Sequence, residues 1–352
     1  MPIALILLLP LLGVAAVGKP LGAYLQFPPR TPDIPHPPFS WPVFIGFSVF
    51  IIASVAPLAL RFLRHEGATR ETAPAKPFPW WGWTGAALGA ASWIIAWNRF
   101  PWMGELQAHT FTPLWISFIL VANAILHRKT GRSLLLSRTR GFLLLFPMSA
   151  IFWWSFEYLN RFVGNWHYSG GREFSAPEYI IFATLPFSTV LPAVLSVREL
   201  IFSSQRFDAA FREWHCLSPA HPRAVALSAL LFSCAGLLAV GIIPDIIFPL
   251  VWVAPPLLLL SFSALRGKPH ALSPIAAGDW RGFVASSFAA LFCGFFWEMW
   301  NSGSMVKWTY DISYVDAFHI FEMPLLGYAG YLPFGILCAQ IGNLVLEYDG
   351  RF

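Results

Sequence analysis

The stretch "GFLLLFPMSAIFWWSFEYLNRFVGNWHY", residues 141–168, decides how the chain is read. Residues 141–159 carry Glu157 as their only charge, and a run of about 18 or more such residues is long enough to cross a bilayer core of about 30 Å as a helix. The run closes on Glu157 and Asn160, and Trp166, His167 and Tyr168 follow. The chain writes nearly the same thing 141 positions later, in "WEMWNSGSMVKWTY", residues 297–310, which supplies Glu298, Asn301, Trp308 and Tyr310. A fragment at 93–100, "WIIAWNRF", echoes the first copy but has Ile95 in place of the glutamate.

Composition agrees with a membrane chain. Of 352 residues 57% are apolar and 12% are charged, against roughly 25% charged in a soluble domain. Ten apolar stretches are candidate spans, at 2–18, 41–60, 82–98, 111–127, 141–159, 179–197, 224–243, 246–265, 283–300 and 321–341. With the N-terminus placed in the cytoplasm, 17 of the 23 Lys and Arg fall on the cytoplasmic side. Lys19, Arg30, Arg99, Arg161, Arg172 and Lys307 are left outside. That bias follows the positive-inside rule at every turn of the chain, and it places both termini in the cytoplasm and the protein in the plasma (inner) membrane. The net charge of +5 then reads as basic loops against anionic head groups, with no nucleic acid implied. The first stretch lacks the basic n-region of a secretory signal, so we expect an uncleaved span.

The expected fold is all-α: a polytopic transmembrane helix bundle of about ten spans with an internal duplication of a helix hairpin. Residues 1–140 form an N-terminal membrane region, 141–223 the first repeat unit, and 224–352 a C-terminal region with the second unit at 283–341. In each unit the glutamate and asparagine close one span. Glu178, after Pro177, and Glu322, before Pro324, open the next. Two units of the same orientation are related by an axis along the membrane normal. The loop at 26–42 holds seven prolines in 17 residues and is expected to be an extended, stiff connector lying across the outer surface.

Several chemistries are set aside. Cys216, Cys234, Cys293 and Cys338 show no CxxC spacing, so neither a disulfide framework nor a zinc site is expected. The histidines lack the clustered pairs of a di-iron oxygenase, and no phosphate-cradling glycine loop is present. Glu157, His167, Glu178, Glu298, His319 and Glu322 are metal-ligand types, but their spacing matches no metal site. A transporter with a central polar path stays open as a third reading, and against it every strong acid lies near one end of its span.

Three-residue spacing puts Glu157 with Asn160, and Glu298 with Asn301, on one helix face. Two uses are open. Helix-end carboxylates and amides can simply hydrogen-bond between hairpins, and Glu178 and Glu322, in first helical turns, gain roughly 0.3–1 kcal/mol from the helix dipole. Most of the 17 tryptophans, including "PWWGW" at 79–83 and "FWW" at 152–154, suit an interface belt. Alternatively, carboxylic acids kept neutral by apolar surroundings deliver protons, and the faces of Trp166, Tyr168, Trp308 and Tyr310 stabilise the resulting cation.

The order of an aromatic residue, an acid, a gap, W-x-Y and a proline beside a glutamate resembles the tandem repeats of the small integral-membrane lycopene cyclases of carotenoid synthesis. The matching residues are Glu157, Trp166, Tyr168, Pro177 and Glu178, then Glu298, Trp308, Tyr310, Glu322 and Pro324. In place of that family's proline, any residue, then two acids, this chain has "APEYI" and "FEMPL". The resemblance implies acid-catalysed cyclisation or hydration of an isoprenoid, with Glu178 and Glu322 as acids, Glu157 and Glu298 as their partners, and Asn160, Trp166, Tyr168, Asn301, Trp308 and Tyr310 around the substrate. The alternative is a non-catalytic membrane subunit or a lipid- or quinone-binding scaffold. No cofactor is specified by the sequence.

Overall fold

A computed structural model describes residues 2–29, 35–65, 76–170 and 174–348. Arg30, Arg70, Arg172 and Arg351, which enter the charge count above, and residues 30–34 of the proline-rich loop lie outside the described residues. The principal helices are α1 Pro2–Ala16, α2 Trp41–Arg64, α3 Trp80–Trp97, α4 Phe111–Thr130, α5 Thr139–Val163, α6 Ala176–Phe187, α7 Val190–Phe202, α8 Pro222–Val240, α9 Leu250–Leu265, α10 Arg281–Gly303 and α11 Tyr331–Tyr348.

Each of the ten apolar stretches carries a helix over all or part of its length, but the helix lengths differ in a way that matters. Among the described residues seven segments, with α6 and α7 taken as one and α11 taken with the turn before it, are long and apolar enough to cross a membrane. The helices α1 and α9 are apolar but have 15 and 16 residues, short of the roughly 20 that a perpendicular span needs. α3 has 18 residues, among them Thr84, Ser92 and five tryptophans. Among the described residues the structure therefore supports an all-α, multi-pass membrane protein with seven helical segments of spanning length.

The centre of the bundle is α5, α7, α10 and α11, whose buried side chains form one core with α4. On one side α3 packs along α4. On the other, α1, α8 and α9 pack on α5 through Val14, Leu159, Phe162, Leu237 and Val251. α2 stands apart, with 6% of its most apolar window buried.

The sixth stretch is a broken helix. α6 ends at Phe187 and α7 starts at Val190, with Pro186 before the break and Pro192 after it. In a continuous helix the Leu191 N–H would donate to the Phe187 carbonyl. Here Ser149 of α5 is inserted between them: its hydroxyl accepts from Leu191 N at 3.0 Å and donates to the Phe187 oxygen at 2.6 Å. A side chain in the i→i−4 ladder is a recognised cause of a kink, and inside a bundle it keeps freed backbone groups paired.

Two expectations about the segments between helices need correction. The regions after α5 and α10 are not irregular loops: β1 Trp166–Ser169 and β2 Lys307–Tyr310 pair antiparallel. Glu322 does not open a helix. It sits in a tight turn between the two-residue strands His319–Ile320 and Met323–Pro324, beside Phe321 at φ 57°, and α11 begins only at Tyr331 after a 3₁₀ turn. The described part of the proline-rich connector is anchored at His36. The His36 side chain is 3% exposed, with Nδ1 2.8 Å from Asp245 Oδ1 and Nε2 3.2 Å from the Gly164 carbonyl.

Ser149→Ala leaves a buried donor and a buried acceptor unpaired, so it is expected to lower stability by about 1–3 kcal/mol, measured as a fall in the thermal midpoint in detergent. Ser149→Thr, which keeps the hydroxyl, is expected to recover part of the loss.

Candidate ligand-binding site

The ribbon is where the repeated residues meet. Its register sets Trp166 opposite Tyr310 and Tyr168 opposite Trp308. Residues i and i+2 of a strand share a face, so all four rings lie on one side of the ribbon. Each strand is tied to the helix before it by its asparagine. Asn160 Nδ2 donates to the Trp166 carbonyl at 2.7 Å, and its Oδ1 accepts from Asn165 N at 2.9 Å and Trp166 N at 3.3 Å. Asn301 treats Trp308 in the same manner, donating to its carbonyl at 2.7 Å and accepting from its N–H at 2.9 Å. An amide side chain that meets both polar groups of one residue fixes that residue's position.

The glutamates then hold the rings. Glu157, 2% exposed, accepts three bonds at Oε1: from the Trp153 indole at 3.0 Å, the Trp166 indole at 3.2 Å and the Tyr168 hydroxyl at 2.6 Å. Glu298, fully buried, accepts at Oε1 from the hydroxyls of Tyr310 and Tyr331, both at 2.7 Å, while the Trp308 indole donates to the Tyr310 oxygen at 2.8 Å. Glu298 Oε2 is buried with no hydrogen-bond partner among the described residues. Neither carboxylate has a salt-bridge partner among the described residues. Burial, and the neighbouring Glu298, push the Tyr310 phenol well above its ordinary value, so it stays a donor.

The two sets differ by one compensated exchange. One turn before Glu157 stands Trp153, which donates to it. One turn before Glu298 stands Gly294, where a Cβ would lie 2.4 Å from the Tyr331 ring. The missing side chain is the space Tyr331 uses to reach Glu298. Trp297 stands between the sets, its ring 6.5 Å from Trp153 and 5.9 Å from Tyr331.

These rings wall a cavity of about 300 Å³. Trp153, Trp166, Tyr168, Trp308, Tyr310 and Tyr331 line it from the ribbon side, and Tyr179, Phe182 and Pro186 of α6 face them. The carboxylates do not line it. They sit behind the rings and collect their N–H and O–H groups, which leaves mainly carbon toward the space.

Glu178 and Glu322 are employed elsewhere. Glu178 caps the start of α6, accepting from Ser175 N at 2.9 Å and Ser175 Oγ at 2.8 Å, the reciprocal arrangement of a capping box. Glu322 is paired with Lys307. Among the described residues no group of three or more His, Cys, Asp or Glu is placed to hold a metal ion. His167 lies on β1, the strand that carries Trp166 and Tyr168, and its Nε2 is buried without a partner among the described residues. Sequence reasoning missed Trp153, Gly294, Trp297, Trp252 and Tyr331. Trp153 was within reach, because it precedes Glu157 by four residues and so shares its face; Tyr331 was not, because only the fold brings α11 against Gly294.

No protein-family model, curated protein or solved structure matches this chain.

Gly294→Ala is expected to displace the Tyr331 ring and break its bond to Glu298, shifting tryptophan emission from Trp297. Its control, Gly303→Ala, meets the Trp97 ring away from the cavity and is expected to leave any ligand-dependent part of that emission unchanged.

Proposed function

We propose that this integral membrane protein binds an apolar, unsaturated chain of the isoprenoid class in the cavity under the β1–β2 ribbon. The observation that carries the reading is the direction of the polar groups: indole N–H and phenol O–H turn back onto Glu157 and Glu298, and ring carbon is presented to the space. A saturated chain gains little from leaving the bilayer for such a cavity, since lipid tails are as apolar as its walls. Selectivity must come from contact density and from the electron-rich faces of closely set rings. Those favour a polarisable polyene. A volume of about 300 Å³ is at the lower end for small-molecule pockets.

The near-twofold ribbon, with its paired Asn clamps and paired carboxylates, supports taking the two halves as copies of one hairpin. The α1, α3 and α9 stretches bring the reading to about ten spans. The Lys and Arg bias supports placing the ribbon on the non-cytoplasmic side of the plasma (inner) membrane.

A second reading, acid catalysis on the bound chain, is favoured by the unpartnered Glu298 Oε2, an oxygen free to carry a proton. In that reading the acid role passes from Glu178 and Glu322 to Glu298, with Glu157 as its counterpart. Because Glu298 lies behind the rings, its proton crosses through the hydroxyl of Tyr310 or Tyr331, which touches Glu298 and lines the cavity, the phenol giving its proton to the chain as it takes one from the acid. Ring faces share the charge of the carbocation formed when a double bond takes the proton, and the carboxylate takes a proton back.

The test is to purify the protein in native-lipid particles and analyse the bound lipid by mass spectrometry. An isoprenoid enriched several-fold over the surrounding membrane, and lost in Trp308→Ala, is the expected result. Lipid of bulk composition would overturn the binding reading. In D₂O, catalysis is expected to place deuterium on the bound chain; Glu298→Gln is expected to retain the chain and abolish the incorporation.

A further inference from the structure

A second cavity, of about 360 Å³, lies on the other side of the ribbon wall. It shares Trp166, Trp252, Tyr310, Met323, Gly327 and Gly330 with the first. Its outer wall is α2, which contributes Phe47, Ile51, Ser54, Val55 and Leu58. Those positions recur at helical spacing and make one face. In an ordinary bundle such a face packs against a neighbour; here it faces a space.

The reason is that the hydrogen bonds that hold α2 lie at its two ends, while between them it meets the bundle through a few apolar contacts, Phe47 with Phe248 at 6.5 Å and the 3₁₀ turn Leu325–Gly330. At the inner end Arg61 Nη2 donates to the Glu213 carbonyl at 2.8 Å, its guanidinium lies 5.0 Å from the Trp214 ring, and Arg206 donates to the carbonyls of Phe62, Leu63 and His65. At the outer end Ser40 N donates to the Tyr314 carbonyl at 2.9 Å, and Phe44 lies 5.3 Å from Phe318. From Phe47 to Leu58 the helix runs about 16 Å beside the cavity. Protein interiors are close-packed, and an apolar void of this size is costly unless something fills it. Within a bilayer the material at hand is an apolar chain. Asn165 and Ser287, each 3% exposed, also line this cavity with side-chain oxygens that have no hydrogen-bond partner among the described residues.

We propose that the second cavity is the access arm of the same site: the apolar ligand passes from the bilayer between α2 and the bundle, occupies this arm, and reaches the first cavity past the ribbon wall, with α2 as a lateral door hinged at its pinned ends. The proposal rests on the binding reading above. Through α2 it assigns residues that neither the repeat nor the carboxylates involve.

The experiment uses a diazirine-bearing polyprenol added to membranes that contain the full chain, with labelled peptides identified by mass spectrometry after photolysis. In the unaltered protein, label is expected on 47–58 and on 179–187. Val55→Trp, which fills the arm from the middle of α2, is expected to lower label on 179–187 several-fold. Leu60→Trp, on the 48% exposed side of the same helix, is expected to leave it unchanged. Ala329→Phe fills the arm from the opposite wall and repeats the test should Val55→Trp fail to fold. Label on 179–187 that survives both filling substitutions overturns the access arm while leaving the binding reading standing. Absence of label on 179–187 in the unaltered protein overturns the binding reading itself.

Discussion

Two carboxylates buried without a cation set the terms for everything around them. A buried carboxylate left unpaired is expensive, and this chain meets the cost with ring hydroxyls and indoles instead of lysine or arginine. Glu157 takes three such donors and Glu298 takes two. Each donor is thereby fixed in direction, and its ring is presented edge or face to the cavity. The asparagines act one step earlier, holding the strands so that those donors reach their acceptors. Remove the carboxylates and the rings lose their reason to face one way.

That constraint also accounts for features that look unrelated. Gly294 is small so that Tyr331 can pass it. The α6–α7 break, held by Ser149, redirects the chain so that Tyr179, Phe182 and Pro186 close the cavity opposite the ribbon. The Glu178 capping box fixes where α6 begins, and the Lys307–Glu322 pair joins the start of β2 to the turn before α11. Thus the two glutamates that do not meet the rings help position the elements that do.

Much of this was legible in the sequence. Apolar runs located every principal helix, and the repeated Glu, Asn, Trp and Tyr named the residues that the ribbon brings together. The pairing itself was hidden, because four-residue strands such as "WHYS" and "KWTY" are too short to announce themselves by alternation, although their aromatic residues suit a strand. Trp153 was hidden by its company: in "FWW" it looks like an interface tryptophan, while its neighbour Trp154 bonds to Thr184 at 3.0 Å and Trp80 and Trp83 are 78% and 66% exposed. The expected helix start at Glu322 failed because Pro324 adopts an extended conformation and Phe321 a left-handed one, which together make a hairpin turn. Span number is the least legible feature, since apolarity marks helices of 15 and of 25 residues alike.

The central claim is that the rings held by Glu157 and Glu298 enclose a chain-binding space. The most direct measurement is a density map of the protein determined by electron cryomicroscopy in native-lipid particles. The account predicts elongated density between the Trp166 and Trp308 rings and α6, in contact with ring carbon. A cavity closed by inward movement of Tyr179 and Phe182, or filled by ordered water bonded to the two carboxylates, would contradict it.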